Sequence, residues 1–129
     1  MSDLIYTAET GKSVDDTVQA VERAAAQHGF RVLHTHDVAA TLAEKGFQRE
    51  PLKIVEICNA RAANEVLLRD PRIAVMLPCP IAVYRESGKT MISTMRPTAM
   101  AAMFPHKGLE PIAEEVERAV LEIIQEARK

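Results

Sequence analysis

Residues 52–59, Leu-Lys-Ile-Val-Glu-Ile-Cys-Asn, join a strand directly to the start of a helix, and the fold can be worked out from them. Side chains in a strand alternate between its two faces, so Glu56 and Cys58 are predicted to share a face. Asn59 is a favourable N-cap residue. The alanine- and leucine-rich residues 60–69 therefore predict a helix that begins directly after the strand.

The residues before this stretch predict two further strands, each followed by a helix. Ser13 is a good N-cap, and apolar residues recur at helical spacing after it, which predicts a helix over residues 14–28. The other predicted elements are a strand at 4–10, a strand at 30–36 and a short helix at 38–45 that Asp37 can cap.

The residues after it contain a long apolar run and a strongly amphipathic end. Residues 73–85 are nearly all apolar and predict a central strand, although Pro78 and Pro80 interrupt it. The remaining predicted elements are a hairpin turn at 86–89, a strand at 90–95, a loop with one helical turn at 96–108 and a helix with a broad apolar stripe at 109–127.

The predicted order is β-α-β-(short α)-β-α-β-β-α. Strands and helices in this order favour an α+β fold, with helices packed on one face of a mostly antiparallel sheet. The 129 residues suit a single domain, residues 1–129, which can bury a core without disulfides. The net charge of -2, the scattered basic residues and the lack of a long apolar run predict a cytoplasmic protein without a nucleic-acid or membrane partner.

The two cysteines occupy unusual positions. Cys58 ends a strand just before a helix N-terminus, where the helix dipole favours the thiolate form. Cys79 lies between two prolines that a regular central strand would not hold. If their strands are neighbours, the two thiols lie close enough to form a redox pair or to share a metal. Alternatively, each is a small buried hydrophobic residue.

Other side chains are also suited to binding a ligand. His34 and His36 share a strand face and can meet one metal or a haem edge, or can simply line a half-exposed sheet. Glu56 can accept a proton beside Cys58, or can pair with a lysine such as Lys53. The methionines at 91, 95, 100 and 103 are soft ligands or adaptable core residues.

A family pattern extends over nearly the whole chain, from about residue 5 to 124. The matching residues are 29–33, 37–38, 42, 45, 53–54, 57–60, 63, 67, 70–71, 77–79, 83–84 and 97–100. Together they resemble the family called domain of unknown function 302. The resemblance implies a curved antiparallel sheet with helices on one side, commonly paired as a homodimer, and it implies no established reaction. This sequence departs from the usual family residues at Ala60 and Pro80.

Three functional hypotheses follow. The first is a small ligand-binding domain that holds haem or a transition metal through Cys, His and Met side chains. The second is a thiol-based redox or sulfur-handling enzyme, with Cys58 as nucleophile, Cys79 as resolving thiol and Glu56 or His36 as proton acceptor. The third is a structural or regulatory homodimer without chemistry. The candidate ligand-binding residues are Lys53, Glu56, Cys58, Asn59 and Cys79, and the candidate metal ligands are His34, His36, Cys58 and Cys79.

Overall fold

Five strands form one antiparallel sheet in the computed structural model, which describes residues 4–129. In the sheet the strands lie in the order β1-β5-β4-β3-β2, and every neighbouring pair is antiparallel. The strands β2 to β5 therefore form a meander, and β1 pairs with β5 at the edge. The strands are β1 (Ile5–Thr10), β2 (Arg31–Asp37), β3 (Leu52–Cys58), β4 (Cys79–Glu86) and β5 (Lys89–Met95).

The helices lie on one side of this sheet, so the predicted α+β class and element order are confirmed. Among the described residues, no helix is both long enough and apolar enough to cross a membrane. The helices are α1 (Val14–Gln27), α2 (Val38–Ala43), α3 (Ala60–Arg69), α4 (Pro97–Ala101) and α5 (Glu110–Ala127), with a 3₁₀ helix at Pro71–Met76.

Short polar side chains cap three of the helices, as the sequence predicts. The capping residues are Ser13 for α1, Asp37 for α2 and Asn59 for α3. The Ser13 hydroxyl accepts from the backbone N–H of Asp16 at 3.0 Å. The Asp37 carboxylate accepts from the N–H of Ala40 at 3.0 Å. Each cap satisfies one of the backbone donors that a helix N-terminus leaves free, and so fixes where the helix begins.

The main core lies between the sheet and the helices α1 and α5. Val55 and Ile57 of β3 are fully buried, whereas Glu56 between them is only partly buried. This alternation shows that the helix-facing side of the strand is the one that carries Val55 and Ile57. The largest fully buried side chains are Ile57, Ile81, Ile92, Ile123, Ile124, Val21, Val55, Val83 and Val120.

The strand predicted at residues 73–85 is wrong in its first half. Residues Pro71–Met76 form a 3₁₀ helix, and β4 begins only at Cys79, after a cis peptide bond between Leu77 and Pro78. Asp70 begins the 3₁₀ helix by accepting from the N–H of Arg72 at 3.0 Å. Pro78 lacks the N–H that a central strand must donate, and it lies just before β4. Pro80, in contrast, lies within β4, opposite Glu56 of β3.

Candidate functional site

The two cysteines lie at the same end of the sheet, on neighbouring strands. β3 pairs with β4, and Ile57 is directly opposite Cys79. Cys58 is the next residue after Ile57 and therefore a near neighbour of Cys79. The sequence left open whether the strands that carry the two thiols are adjacent, and the sheet register shows that they are.

Cys58 is the last residue of β3, and α3 begins two residues after it. Asn59 has extended backbone angles, and its side-chain oxygen accepts from the N–H of Ala62 at 3.0 Å. The predicted cap is thus confirmed, and the amide oxygen of Asn59 is engaged in holding the helix. At this junction between strand and helix, Cys58 lines a cavity together with Ile57 and Cys79.

The cavity has a volume of about 90 Å³ and lies between the cysteine end of the sheet, α3, α4 and the start of α5. Apart from the two thiols, its lining contains a single polar side chain, that of Asn59. Its small lining residues are four alanines, at positions 62, 63, 101 and 113. The other lining residues are Phe30, Ile57, Val66, Ile73, Met76, Leu77, Pro97, Met100, Phe104, Leu109, Ile112 and Val116.

A second, smaller hydrophobic cluster forms the outer wall of the cavity. Ile73 of the 3₁₀ helix packs with Ala101, Leu109 and Ala113, and the partly buried Phe104 packs against them. The wall is therefore built from residues 71–76 and from α4 with the loop that follows it. It covers the end of the sheet that α1 and α5 do not fill.

Polar contacts at Asp70 join the two parts of this wall. Asp70 is buried and binds the Arg72 guanidinium at 2.7 Å, with the Lys107 ammonium at 3.7 Å. The side-chain and backbone hydrogen bonds from Arg72 hold the pKa of the Asp70 carboxyl well below its usual range. Arg69 also donates to the backbone carbonyl of Lys107 at 3.1 Å. These bonds fasten the loop after α4 to the end of α3.

The apolar surroundings change the acidity of Cys79. Burial raises the pKa of its thiol to about 11, and the neighbouring Cys58 adds to the increase. Removal of the thiol from water disfavours its charged form, and a second ionisable thiol nearby disfavours it further. Cys79 therefore keeps its proton at neutral pH.

The remaining predicted site residues lie away from the cavity. The rings of His34 and His36 meet edge to face with centroids 4.4 Å apart, which agrees with their predicted common face. His36 Nε2 lies 3.2 Å from Glu56 Oε1, and Glu56 and the two histidines are on the open face of the sheet. Lys53 is on the helix-covered face, where its ammonium binds Asp15 at 2.8 Å.

The structure thus brings together only some of the predicted site residues. Cys58, Asn59 and Cys79 come together at the cavity, whereas His34 and His36 do not join the cysteines. Within residues 4–129, no group of three or more His, Cys, Asp or Glu side chains is arranged to hold a metal ion. Any metal at the cysteines would need other ligands.

Two methionines supply sulfur at the cavity, and the sequence indicated only one of them. Met100 is one of the methionines that the sequence offers as soft ligands, and Met76 is not. The prolines at 71 and 78 are the signal that marks Met76 as part of a separate segment.

Comparisons with known proteins agree with this fold. The family model described as "Domain of unknown function DUF302" matches residues 6–127. A crystal structure of an uncharacterized conserved protein DUF302 from Bacillus stearothermophilus superimposes with a TM-score of 0.91 and is 31% identical, covering 97% of this chain and 98% of that one. No protein with a curated description matches. The chain belongs to the DUF302 family.

Proposed function

We propose that this chain is a ligand-binding domain whose ligand occupies the cavity beside Cys58 and Cys79. The observation that supports the proposal is the lining: one almost wholly apolar cavity contains both thiols, although they come from different strands. Ligand sites in proteins are typically apolar cavities with a few polar or reactive groups that orient the ligand. The two thiols are the orienting groups here.

The volume limits the ligand. An engineered apolar cavity of about 150 Å³ holds benzene or xenon, and sites for drug-sized molecules have about 300–1,000 Å³. At about 90 Å³, this cavity suits an ion or a molecule of very few atoms. A haem is many times larger, so haem binding would require the wall formed by the 3₁₀ helix and α4 to move away. The transition-metal hypothesis fits the volume, and the haem hypothesis does not fit this conformation.

The thiol enzyme is the less favoured hypothesis. A nucleophilic or resolving cysteine reacts as the thiolate. The raised pKa of Cys79 keeps that residue in its unreactive form at neutral pH. Neither of the predicted proton acceptors, Glu56 and His36, lines the cavity, because they pair with each other on the open face.

Xenon is a suitable test of the cavity itself. Amide chemical shifts measured under xenon pressure are expected to change for residues around Cys58 and Cys79. Ala101→Leu fills the cavity and is expected to remove these changes. Ala26→Leu, at an exposed position of α1, is the matched control and should leave them intact. Unchanged shifts in the wild-type protein would show that no ligand can enter and would overturn the proposal.

A homodimer, which the family resemblance predicts, is favoured by the open face of the sheet. The side chains of Ile54, Ala82, Met91 and Met95 lie on that face, and no helix of the described residues covers it. The same face also carries the polar Glu56, His34 and His36, and an apolar patch beside polar residues is a typical contact surface between proteins. Sedimentation velocity is expected to show a dimer that Ala82→Glu converts to a monomer, with Ala26→Glu as control. A monomeric wild-type protein at high concentration would refute the dimer.

A further inference from the structure

Four of the eight sulfur-bearing residues of this chain line the one cavity beside the cysteines. They come from four separate segments. Cys58 ends β3, Cys79 begins β4, Met76 ends the 3₁₀ helix and Met100 lies in α4. Met76 and Cys79 are three residues apart, whereas Cys58 and Met100 are each about 20 residues from them, so the fold is needed to bring all four to the same cavity.

The lining contains none of the ligands that hard or borderline cations prefer. It has no carboxylate, no imidazole and no hydroxyl group, and the amide oxygen of Asn59 is engaged at the start of α3. Thiolate and thioether sulfur select soft metal ions, of which Cu(I) is the main biological example. Mg²⁺, Ca²⁺ and Mn²⁺ prefer carboxylate and carbonyl oxygens, and the described lining residues supply no side-chain carboxylate.

The apolar surroundings favour a monovalent ion over a divalent one. An uncompensated charge inside an apolar cavity costs many kcal/mol. One thiolate neutralises a monovalent cation completely, and the neutral thioethers complete its coordination without adding charge. A divalent ion would need two thiolates side by side to reach the same neutrality.

We propose that the cavity binds one Cu(I) ion through the thiolate of Cys58 and the thioether sulfur atoms of Met76 and Met100, with the protonated Cys79 thiol beside them. This inference rests on the proposed function, because it names the ligand of the same cavity. Binding replaces the S–H bond of one cysteine by an S–Cu bond and releases one proton to solvent. The copper enters and stays as Cu(I), so no electron is transferred.

The test is a competition for Cu(I) under nitrogen between the reduced protein and the chromogenic chelator bicinchoninate. The wild-type protein is expected to withdraw one Cu(I) per chain and to gain ultraviolet thiolate-to-copper absorption. Met76→Leu and Met100→Leu keep similar side-chain volumes and are expected to weaken binding by at least about tenfold, since even outer-shell partners of a metal site contribute about 10–100-fold. Met103→Leu alters an exposed methionine outside the cavity and should have no effect.

The outcomes separate this inference from the proposed function. If the wild-type protein leaves all copper with the chelator but still binds xenon, the cavity takes another small ligand and the Cu(I) proposal is overturned. If neither copper nor xenon binds, both proposals are overturned. If copper binds equally well to the wild-type protein and to the Met76→Leu and Met100→Leu variants, the ion is held elsewhere and the Cu(I) site is refuted. Cys58→Ala, tested for folding by circular dichroism, is expected to abolish binding.

Discussion

Alkylation of Cys79 in the folded protein is expected to keep accelerating with pH up to about pH 11, far beyond the range of an ordinary cysteine. Burial in the apolar cavity wall and the proximity of Cys58 raise the pKa of the Cys79 thiol from 9.0 to about 11. Iodoacetamide reacts with the thiolate and not with the thiol, so the rate follows the fraction of thiolate present. The perturbation is pH alone, and the readout is the rate at one residue.

The size of the effect follows from the two pKa values. At pH 8 a thiol with an ordinary pKa near 9 is roughly one-tenth thiolate, whereas a thiol with a pKa near 11 is roughly one-thousandth thiolate. Cys79 in the folded protein is therefore expected to react about 100-fold more slowly than Cys79 in the unfolded chain at this pH. Restricted access of the reagent would slow the reaction further without moving the midpoint of the pH profile.

Peptide mass spectrometry can follow both cysteines in one sample. Arginine and lysine residues place Cys58 in the tryptic peptide 54–61 and Cys79 in the peptide 73–85. The protein is pulsed with iodoacetamide at a series of pH values, quenched, unfolded and digested. The same series in urea supplies the profile of the unfolded chain.

The midpoint of the Cys79 profile decides the outcome. If the rate levels off near pH 9 in the folded protein, as it should in urea, the thiol is not removed from water and the cavity wall is not packed as described. A profile that is still rising at pH 10 supports the buried position. A profile still rising at pH 10 would also argue against the thiol enzyme hypothesis, because its resolving thiol reacts as the thiolate.

Three further predictions concern stability and can be checked by urea unfolding. Between pH 9 and 11, folded Cys79 keeps a proton that the unfolded chain loses. The wild-type protein should therefore lose about 2–3 kcal/mol of stability over this range, relative to Cys79→Ala. The same pH dependence of stability in both proteins would contradict this. The lowered pKa of Asp70 implies the opposite direction: its stabilisation is present above about pH 4 and is lost in acid, and Asp70→Asn should flatten the acid limb. Gly108→Ala should destabilise by about 1–2 kcal/mol, because its backbone has φ of +66° and a Cβ would lie 2.7 Å from the guanidinium of Arg69, whereas Gly11→Ala, with open space around it, should be near neutral.

Local sequence signals determined most of the elements but not the cavity. Ser13 and Asn59 predicted two helix starts, because a cap acts through hydrogen bonds to residues two or three positions away. The alternation in β2 also placed His34 and His36 on one face. The alternation in β3 also holds for Val55 and Ile57, which are buried on either side of the partly buried Glu56.

The segment from Pro71 to Pro78 shows why the site itself could not be predicted. An apolar run is compatible with a buried strand or with a short helix that packs over a core, and hydrophobicity alone does not distinguish them. The outcome depends on the hydrogen bonds of Asp70 to Arg72 and on the cluster of Ile73 with Leu109, which joins residues distant in sequence. Met76 came to the cavity only through this packing.

The cost of the cavity is the strongest physical argument that it serves a purpose. Four alanines line it where larger residues would fill the space, whereas the centre of the same core is packed with isoleucines. At about 24 cal/mol per Å³, an empty volume of about 90 Å³ destabilises the fold by up to about 2 kcal/mol. That is a large fraction of the roughly 5–15 kcal/mol that separates a folded domain from its unfolded chain. Ala101→Leu is expected to raise the free energy of unfolding by up to about 2 kcal/mol and to abolish the binding of Cu(I) and xenon. That result would show that the alanine makes the fold less stable but leaves room for a ligand.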